Sequence, residues 1–256
     1  MARADDAGRD ITEGDGVTAL TVAWSRVQEQ DSDCPLFTDP YAKLFVDAAA
    51  ERGWRVPVAE TAARLRAACG YAASRTKWFD EFFIAAGANG IDQAVILAAG
   101  LDARAWRLPW VGGSAVYEID QPTVLAFKAE TLRRHAATPG AHYVAVPIAL
   151  HDNWPEALRR SGFDPDEPTA WAAEDLLPTL SAEDQSVLFE RIGDLSAPGS
   201  RIAVEASEVT DWFLRRGWEV TAIAAADLMD RYGRCAAGEA DDTTPRTLFA
   251  EGRLLT

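Results

Sequence analysis

The chain alternates short unbroken apolar runs with longer stretches in which apolar residues recur every three to four positions. Strands are read at 94–99, 115–119, 142–148, 169–173, 201–206, 219–223 and near 247–255, the first two as apolar runs. Such a run fits a strand covered on both faces, as in a parallel sheet. Helical spacing between the runs predicts helices over 123–136, 154–161, 182–195, 209–216 and 226–232. Ahead of the first run the pattern is helical. Val17, Leu20, Ala23, Trp24 and Val27 share one face, and Tyr41, Leu44, Phe45 and Ala48 share another. Residues 59–73 are rich in helix formers. Trp78, Phe79, Phe82, Phe83 and Ala86 then make an aromatic stripe that stops near Gly87 and Gly90, and it reads as core packing against the sheet. Residues 1–16 are polar and expected to be loosely ordered. Seven strands with helices between most of them predict a doubly wound α/β sheet. Its helical N-terminal portion, 1–85, acts as a cap within the same domain, and 86–256 forms the α/β core.

One window carries most of the chemistry. Residues 93–128 read as strand, glycine turn, short helix, strand and acid, with Gly100 closing the first strand and Asp120 closing the second. Leu101, Ala105, Trp106 and Leu108 supply the helical spacing between them. A glycine where strand becomes helix lets backbone approach a ligand closely. A carboxylate at the end of the next strand can accept two hydrogen bonds from a ribose diol. The offset from Gly100 to Asp120 matches the roughly twenty residues at which an acid meets ribose hydroxyls in Rossmann-like folds. There is no full G-x-G-x-x-G, so a pyrophosphate cradle is poorly supported. An adenosine-bearing ligand fits, and the plain alternative is a strand–turn–helix with a surface aspartate. In such sheets ligands sit outside the carboxyl ends of the strands. Gly100, Asp120, the segment 149–152 and Glu174 stand at four such ends and are expected to share one crevice.

Composition narrows the partners. The net charge of −15, from 25 basic and 40 acidic residues, argues against a nucleic-acid backbone or an anionic membrane. Cys34, Cys69 and Cys235 fit no C-x-x-C spacing and read as free thiols in a reducing compartment. The first ten residues show no apolar signal segment, and no run approaches a membrane span, so a cytoplasmic protein is expected. The acidic stretch at 239–242 reads as a solvated loop.

Catalytic signatures are scarce. There is no H-E-x-x-H, P-loop, G-x-S-x-G or paired C-x-x-C, and His135, His142 and His151 share no metal-ligand spacing. His135 and His142 read as surface residues, and His151 as a partly exposed residue near the crevice. A nucleotide-like site with little bond-making machinery fits methyl transfer, in which a sulfonium leaving group is already activated and the protein aligns the reactants and excludes water.

The blocks ILAAGLDARAWRLPW and YEIDQP closely resemble the leucine carboxyl methyltransferase superfamily, in its actinobacterial branch of S-adenosylmethionine-dependent methyltransferases. The resemblance extends through DITEG, TAL, DPY, SRTKWFDEFF, DNWPEAL, GFDPDEPTAWAAEDLL, APGSR and WEVTAI, and so covers most of the chain. It implies a seven-stranded class I methyltransferase sheet, S-adenosyl-L-methionine as cofactor and a small-molecule methyl acceptor. Similarity to enzymes that esterify carboxyl groups makes a carboxylate oxygen one candidate acceptor. A homo-oligomer is compatible with it. By position, the resemblance implies that Arg75 pairs with the donor's carboxylate, with Lys77 as help. Gly100 would pass close to the donor, and Asp120 with Gln121 would hold the ribose. Ala149 and Leu150 would meet adenine, and Glu174 would lie near the amino end. No catalytic residue and no metal is implied. Without the resemblance, Arg75 would be expected to pair with Asp80 or Glu81.

Four positions differ from the family pattern. Ala98 stands where a second glycine is usual, and Ala149 where an aspartate is usual, which predicts weaker donor binding. Asp175-Leu176-Leu177-Pro178-Thr179 replaces Gly-Leu-Leu, an apolar residue and Tyr. Only Ser207 and Glu208 separate the strand ending at Ala206 from the next helix, where the family has a longer helical cover. These departures keep open a non-catalytic or weakly donor-binding protein on the same scaffold. A nicotinamide-dependent oxidoreductase is disfavoured by the single glycine and the lack of a Tyr-x-x-x-Lys signature.

Overall fold

The computed structural model describes residues 10–56, 62–206, 211–234 and 247–255. The expectations for residues 1–9, the start of the 59–73 segment, the connection at 207–208, the start of the 209–216 helix, Cys235 and the polar stretch at 235–244 lie outside them.

The apolar runs form one sheet. Its strands are β1 (Gln93–Leu97), β2 (Ala115–Asp120), β3 (His142–Pro147), β4 (Thr169–Ala173), β5 (Arg201–Ala206), β6 (Trp218–Ala224) and β7 (Leu248–Leu254). Their order is β3-β2-β1-β4-β5-β7-β6. Strands β1 to β5 pair in parallel, while β7 runs antiparallel between β5 and β6. The chain passes outward from β1 to β3 and then returns to place β4 beside β1. That reversal opens a crevice at the carboxyl ends of β1 and β4, where doubly wound sheets bind ligands.

The absence of polar alternation in β1 and β4 has a direct cause. Val95, Leu97, Trp171 and Ala173 face one buried cluster, and Ala94, Ile96, Ala170 and Ala172 face another. The first cluster is closed by α6 (Trp154–Arg160), α7 (Ala182–Gly193) and α8 (Asp211–Arg215). The second is closed by α3 (Ala62–Ala88), α4 (Arg104–Arg107) and α9 (Ala225–Arg231). Phe79, Phe82, Phe83 and Ala86 are buried there, so the aromatic stripe is core. A third cluster joins α1 (Asp15–Gln30), α2 (Pro40–Glu51) and α5 (Pro122–Arg134) over the crevice side of the sheet. Between α5 and β2, the buried Lys128 ammonium pairs with Glu118 and lies 5.3 Å from the Trp106 ring centre.

Three elements differ from expectation. The two helices read over 59–73 and around the aromatic stripe are one 27-residue helix, α3. Gly70 alone does not break it, because an isolated glycine weakens a helix by only about 1 kcal/mol. The first strand ends at Leu97 although the apolar run continues to Ala99, because Ala98 turns the backbone to φ 50°. The N-terminal segment is tied down from Asp10 onward. Ile11 is buried against α1 and α2, and its carbonyl oxygen lies where a side chain on Gly16 would meet it at 2.1 Å. Only glycine permits that approach, which accounts for the glycine-rich DITEGDG segment.

Among the described residues no helix is long and apolar enough to cross a membrane.

Candidate functional site

A cavity of about 500 Å³ opens at the carboxyl ends of β1, β2 and β4. Arg75, Gly100, Asp120, Gln121, Ala149, Leu150 and Glu174 all line it. These residues come from five separate segments; the parallel strands deliver all of them but Arg75, which α3 supplies. Lys77 does not line the cavity; its ammonium pairs with Glu81 one turn along α3, at 3.3 Å. His151 stands exposed on the cavity wall, 3.7 Å from Asp152.

Asp120 is fixed by backbone. Its Oδ2 accepts from the Gly100 N–H at 2.6 Å, and its Oδ1 accepts from the Gln121 N–H at 2.6 Å. Each oxygen retains a lone pair for a further donor. Burial pushes this carboxyl above the usual carboxylate range, against the pull of the two N–H groups. Gly100 sits at φ 53°, and a side chain there would press on the Ala19 methyl of α1 at 3.3 Å. The turn after β1 is therefore held against α1 on one side and Asp120 on the other.

Ala98, also on the cavity wall, adopts a left-handed conformation that costs an alanine about 1–2 kcal/mol. Glycine would remove that strain but lose about 0.5–1 kcal/mol to its greater freedom when unfolded. Ala98→Gly is thus expected to stabilise the protein by about 0.5–1 kcal/mol, read as a rise in the urea midpoint. A fall would show that the Ala98 methyl packs more favourably than its backbone is strained.

Arg75 and Glu174 occupy the other end of the cavity. Arg75 Nε lies 3.2 Å from Glu174 Oε1, yet neither atom has a properly directed hydrogen-bond partner. Arg75 also lies 3.3 Å from Asp175 and 3.4 Å from Glu205, so its partners are these three carboxylates and not Asp80 or Glu81. Burial opposes the charge on Glu174, but Arg104 and Arg75 outweigh it and hold the carboxyl below its ordinary value. Glu205 is pushed upward, mainly by burial, and accepts from the Tyr71 hydroxyl.

These groups continue into a buried ionic chain that sequence reasoning missed. Arg104 joins Glu174 at 2.7 Å, Asp80 at 2.7 Å and Asp102. Asp80 accepts a two-pronged pair from Arg107, both contacts at 2.6 Å. Arg107 lies 3.7 Å from Asp39, and Asp39 lies 4.0 Å from Arg26. Asp39 also caps α2 by accepting from the N–H groups of Tyr41 and Ala42. The chain therefore runs Arg26–Asp39–Arg107–Asp80–Arg104–Glu174–Arg75–Glu205–Tyr71. It ties the DPY, SRTKWFDEFF and LDARAWR segments to the cavity floor. Arg26 and Asp102 line the cavity themselves. The signal available in the sequence was the density of Asp and Arg within otherwise apolar blocks.

The opposite wall is made by α1, through Asp15, Thr18, Ala19 and Val22, and by α7 with the turn before it. Thr179 and Leu180 lie on that turn, and Thr179 donates to the Leu176 carbonyl at 2.7 Å. Arg191 of α7 donates to the carbonyls of Leu150 and Asp152 at 3.2 and 2.8 Å, and so fixes the loop that carries Ala149.

The strand order, the antiparallel β7 and the crevice at the β1/β4 reversal are those of a class I, Rossmann-like methyltransferase. The leucine carboxyl methyltransferase profile matches residues 19–193. A relative from Mycobacterium sp. (strain JLS) is 54% identical over 243 residues, covering 93% of this chain and 97% of its own. One from Mycolicibacterium paratuberculosis is 42% identical over 307 aligned positions, covering 97% and 96%. Both carry the provisional name S-adenosyl-L-methionine-dependent methyltransferase. The second alignment is longer than the 256-residue chain, so that relative has segments this chain lacks. A crystal structure of a duf574 family protein from Streptomyces avermitilis shares the fold at a TM-score of 0.57 and 16% identity, over 92% of this chain and 96% of that one. The chain belongs to the leucine carboxyl methyltransferase family.

Proposed function

We propose that the acceptor of this S-adenosyl-L-methionine-dependent methyltransferase is an oxygen of a small molecule, with a carboxylate oxygen as the favoured class. The observation that carries this reading is the distribution of charge along the cavity. At one end, Asp120 presents two fixed acceptor oxygens suited to a ribose diol. At the other, Arg75 and Glu174 present opposite charges with unsatisfied buried atoms, which suits the carboxylate and ammonium of an amino-acid end. The residues present therefore fit the donor. Arg75 and Glu174 would hold its amino-acid end, Asp120 and Gln121 its ribose, and Ala149 and Leu150 its adenine, with Gly100 in close approach. The donor supplies a methyl group already activated by its sulfonium.

The remaining tasks fall to the chain. The walls of α1 and α7 exclude water, and the fixed turn at Gly100 sets the depth of the site. A carboxylate acceptor is ionised at neutral pH and needs no general base. This suits a cavity in which Asp102, Asp120 and Glu174 are held by guanidinium groups or backbone N–H. Arg26 supports the same acceptor class. Arg26 lines the cavity, and its guanidinium donates to the Leu101 carbonyl at 3.1 Å and has a buried Nε without a partner.

Calorimetric titration with S-adenosylmethionine and S-adenosylhomocysteine tests the donor, and absence of binding of both at millimolar concentration would sink this reading. Transfer of labelled methyl into a metabolite extract tests the acceptor. An ester is released by mild alkali and an ether is not, so an alkali-stable product removes the carboxylate.

A further inference from the structure

Asp175 lines the cavity beside Arg75. It stands directly after Glu174 at φ 54°, a left-handed conformation that glycine adopts freely and that Asp and Asn tolerate better than other side chains. Its N–H donates to Glu205 at 3.3 Å. Its carboxylate lies 3.3 Å from Arg75 Nη1 with the side chain 40% exposed, against 10% for Glu174 and 4% for Glu205. The three carboxylates around Arg75 are therefore not equivalent. Glu174 is also held by Arg104, and Glu205 by the Tyr71 hydroxyl. The Asp175 carboxylate has no second side-chain partner among the described residues. Of the Arg75 partners it is the most exposed and the one an incoming anion can displace.

We propose that Asp175 is a built-in rival for the donor's carboxylate on Arg75, so that it sets how strongly the site discriminates between adenosine ligands with and without an amino-acid carboxylate. This rests on the donor reading above. A ligand carboxylate that reaches Arg75 meets a guanidinium already neutralised, and must stand beside the Asp175 charge after displacing it. A ligand that lacks the carboxylate makes no such demand and is bound through the adenosine half alone. Discrimination in favour of the full amino-acid end is weaker than a lone arginine would give.

Asp175→Asn tests this, since asparagine keeps the size and tolerates the same backbone. The ligands are S-adenosylhomocysteine and 5′-methylthioadenosine, which shares the adenosine thioether and lacks the amino-acid end. Affinities are read by calorimetry on the full chain. S-adenosylhomocysteine is expected to bind about five-fold more tightly to the variant, the effect of removing a half-exposed charge pair. The affinity for 5′-methylthioadenosine is expected to stay unchanged. Asp175→Gly, which also fits φ 54°, is expected to shift the ratio the same way and serves if the asparagine variant folds poorly. An unchanged ratio, with both ligands bound, overturns the role of Asp175 and leaves the donor reading standing. No binding of either ligand by wild type and variants overturns both.

Discussion

Asp120→Ala is expected to weaken S-adenosylhomocysteine binding by at least about thirty-fold, the loss of hydrogen bonds to a charged acceptor worth about 2 kcal/mol or more. The side chain has two functions, and they can be separated. Its oxygens hold the turn after β1 through the N–H groups of Gly100 and Gln121, and the remaining lone pairs face the cavity. Alanine removes both functions. Asparagine keeps one acceptor oxygen and the volume, so Asp120→Asn is expected to retain the fold and to lose most of the ribose contact. Stability should respond to pH in a defined direction. Burial raises the folded-state value of Asp120 above its unfolded one, so its contribution is full below the unfolded value and is lost as pH rises through the folded value. At neutral pH the buried charge is a burden that asparagine does not carry. The stability of wild type relative to Asp120→Asn should therefore fall as pH rises from below about 4 to 7. Urea midpoints at the two pH values measure it. A ligand affinity unchanged in both variants would remove Asp120 from the site.

The sheet was legible because β1 and β4 are covered on both faces, so their sequences carry unbroken apolar runs. The strand ends were less legible. Ala98 is apolar and looks like strand, yet its backbone turns left-handed, and the Gly100 turn that follows is held by Ala19 and Asp120, which no local pattern encodes. That Gly100, Asp120 and Glu174 line one cavity could be anticipated because each stands at a strand end, and parallel strands deliver their ends to one edge. The partners of Arg75 could not. Asp80 and Glu81 lie near it along α3 and were the natural expectation, but Asp80 is turned toward Arg104 and Arg107. The carboxylates that do meet Arg75 follow β4 and close β5, about 100 to 130 residues away in sequence. Charge pairing between distant segments leaves no period in the sequence. For the same reason the segment blocks around Asp39, Asp80 and Asp102 could be recognised as a pattern before their common purpose was visible.

That purpose makes Arg104 the position of largest expected effect on stability. Arg104 is fully buried, with Asp80, Asp102 and Glu174 around its guanidinium, the Thr76 carbonyl at 3.2 Å and the Phe79 ring 5.6 Å from it. Removing one member of a buried ionic group leaves its partners charged and unsolvated, which costs about 3–5 kcal/mol. Set against a typical total of about 5–15 kcal/mol, Arg104→Met should leave a marginal fold. Methionine fills the volume, so the loss reports charge more than cavity. Lysine cannot supply a planar fork to three carboxylates and should restore only part of it. The pH dependence separates this account from simple loss of packing. In wild type, Arg104 leads the cations, Arg75 and Arg26 among them, that overcome burial and hold Asp102 and Glu174 below their ordinary values. Their contribution is present above the unfolded values near 4 and is lost as pH falls through the lower folded ones. Without Arg104, burial dominates and their folded-state values rise, which reverses the sign. Arg104→Met should therefore gain stability relative to wild type as pH falls from about 7 to 4, because the stranded carboxylates take up protons. Urea midpoints for both proteins across that range decide the matter. A constant difference between the curves would mean that Arg104 acts by filling space, and that the ionic chain beneath the cavity does not hold the fold.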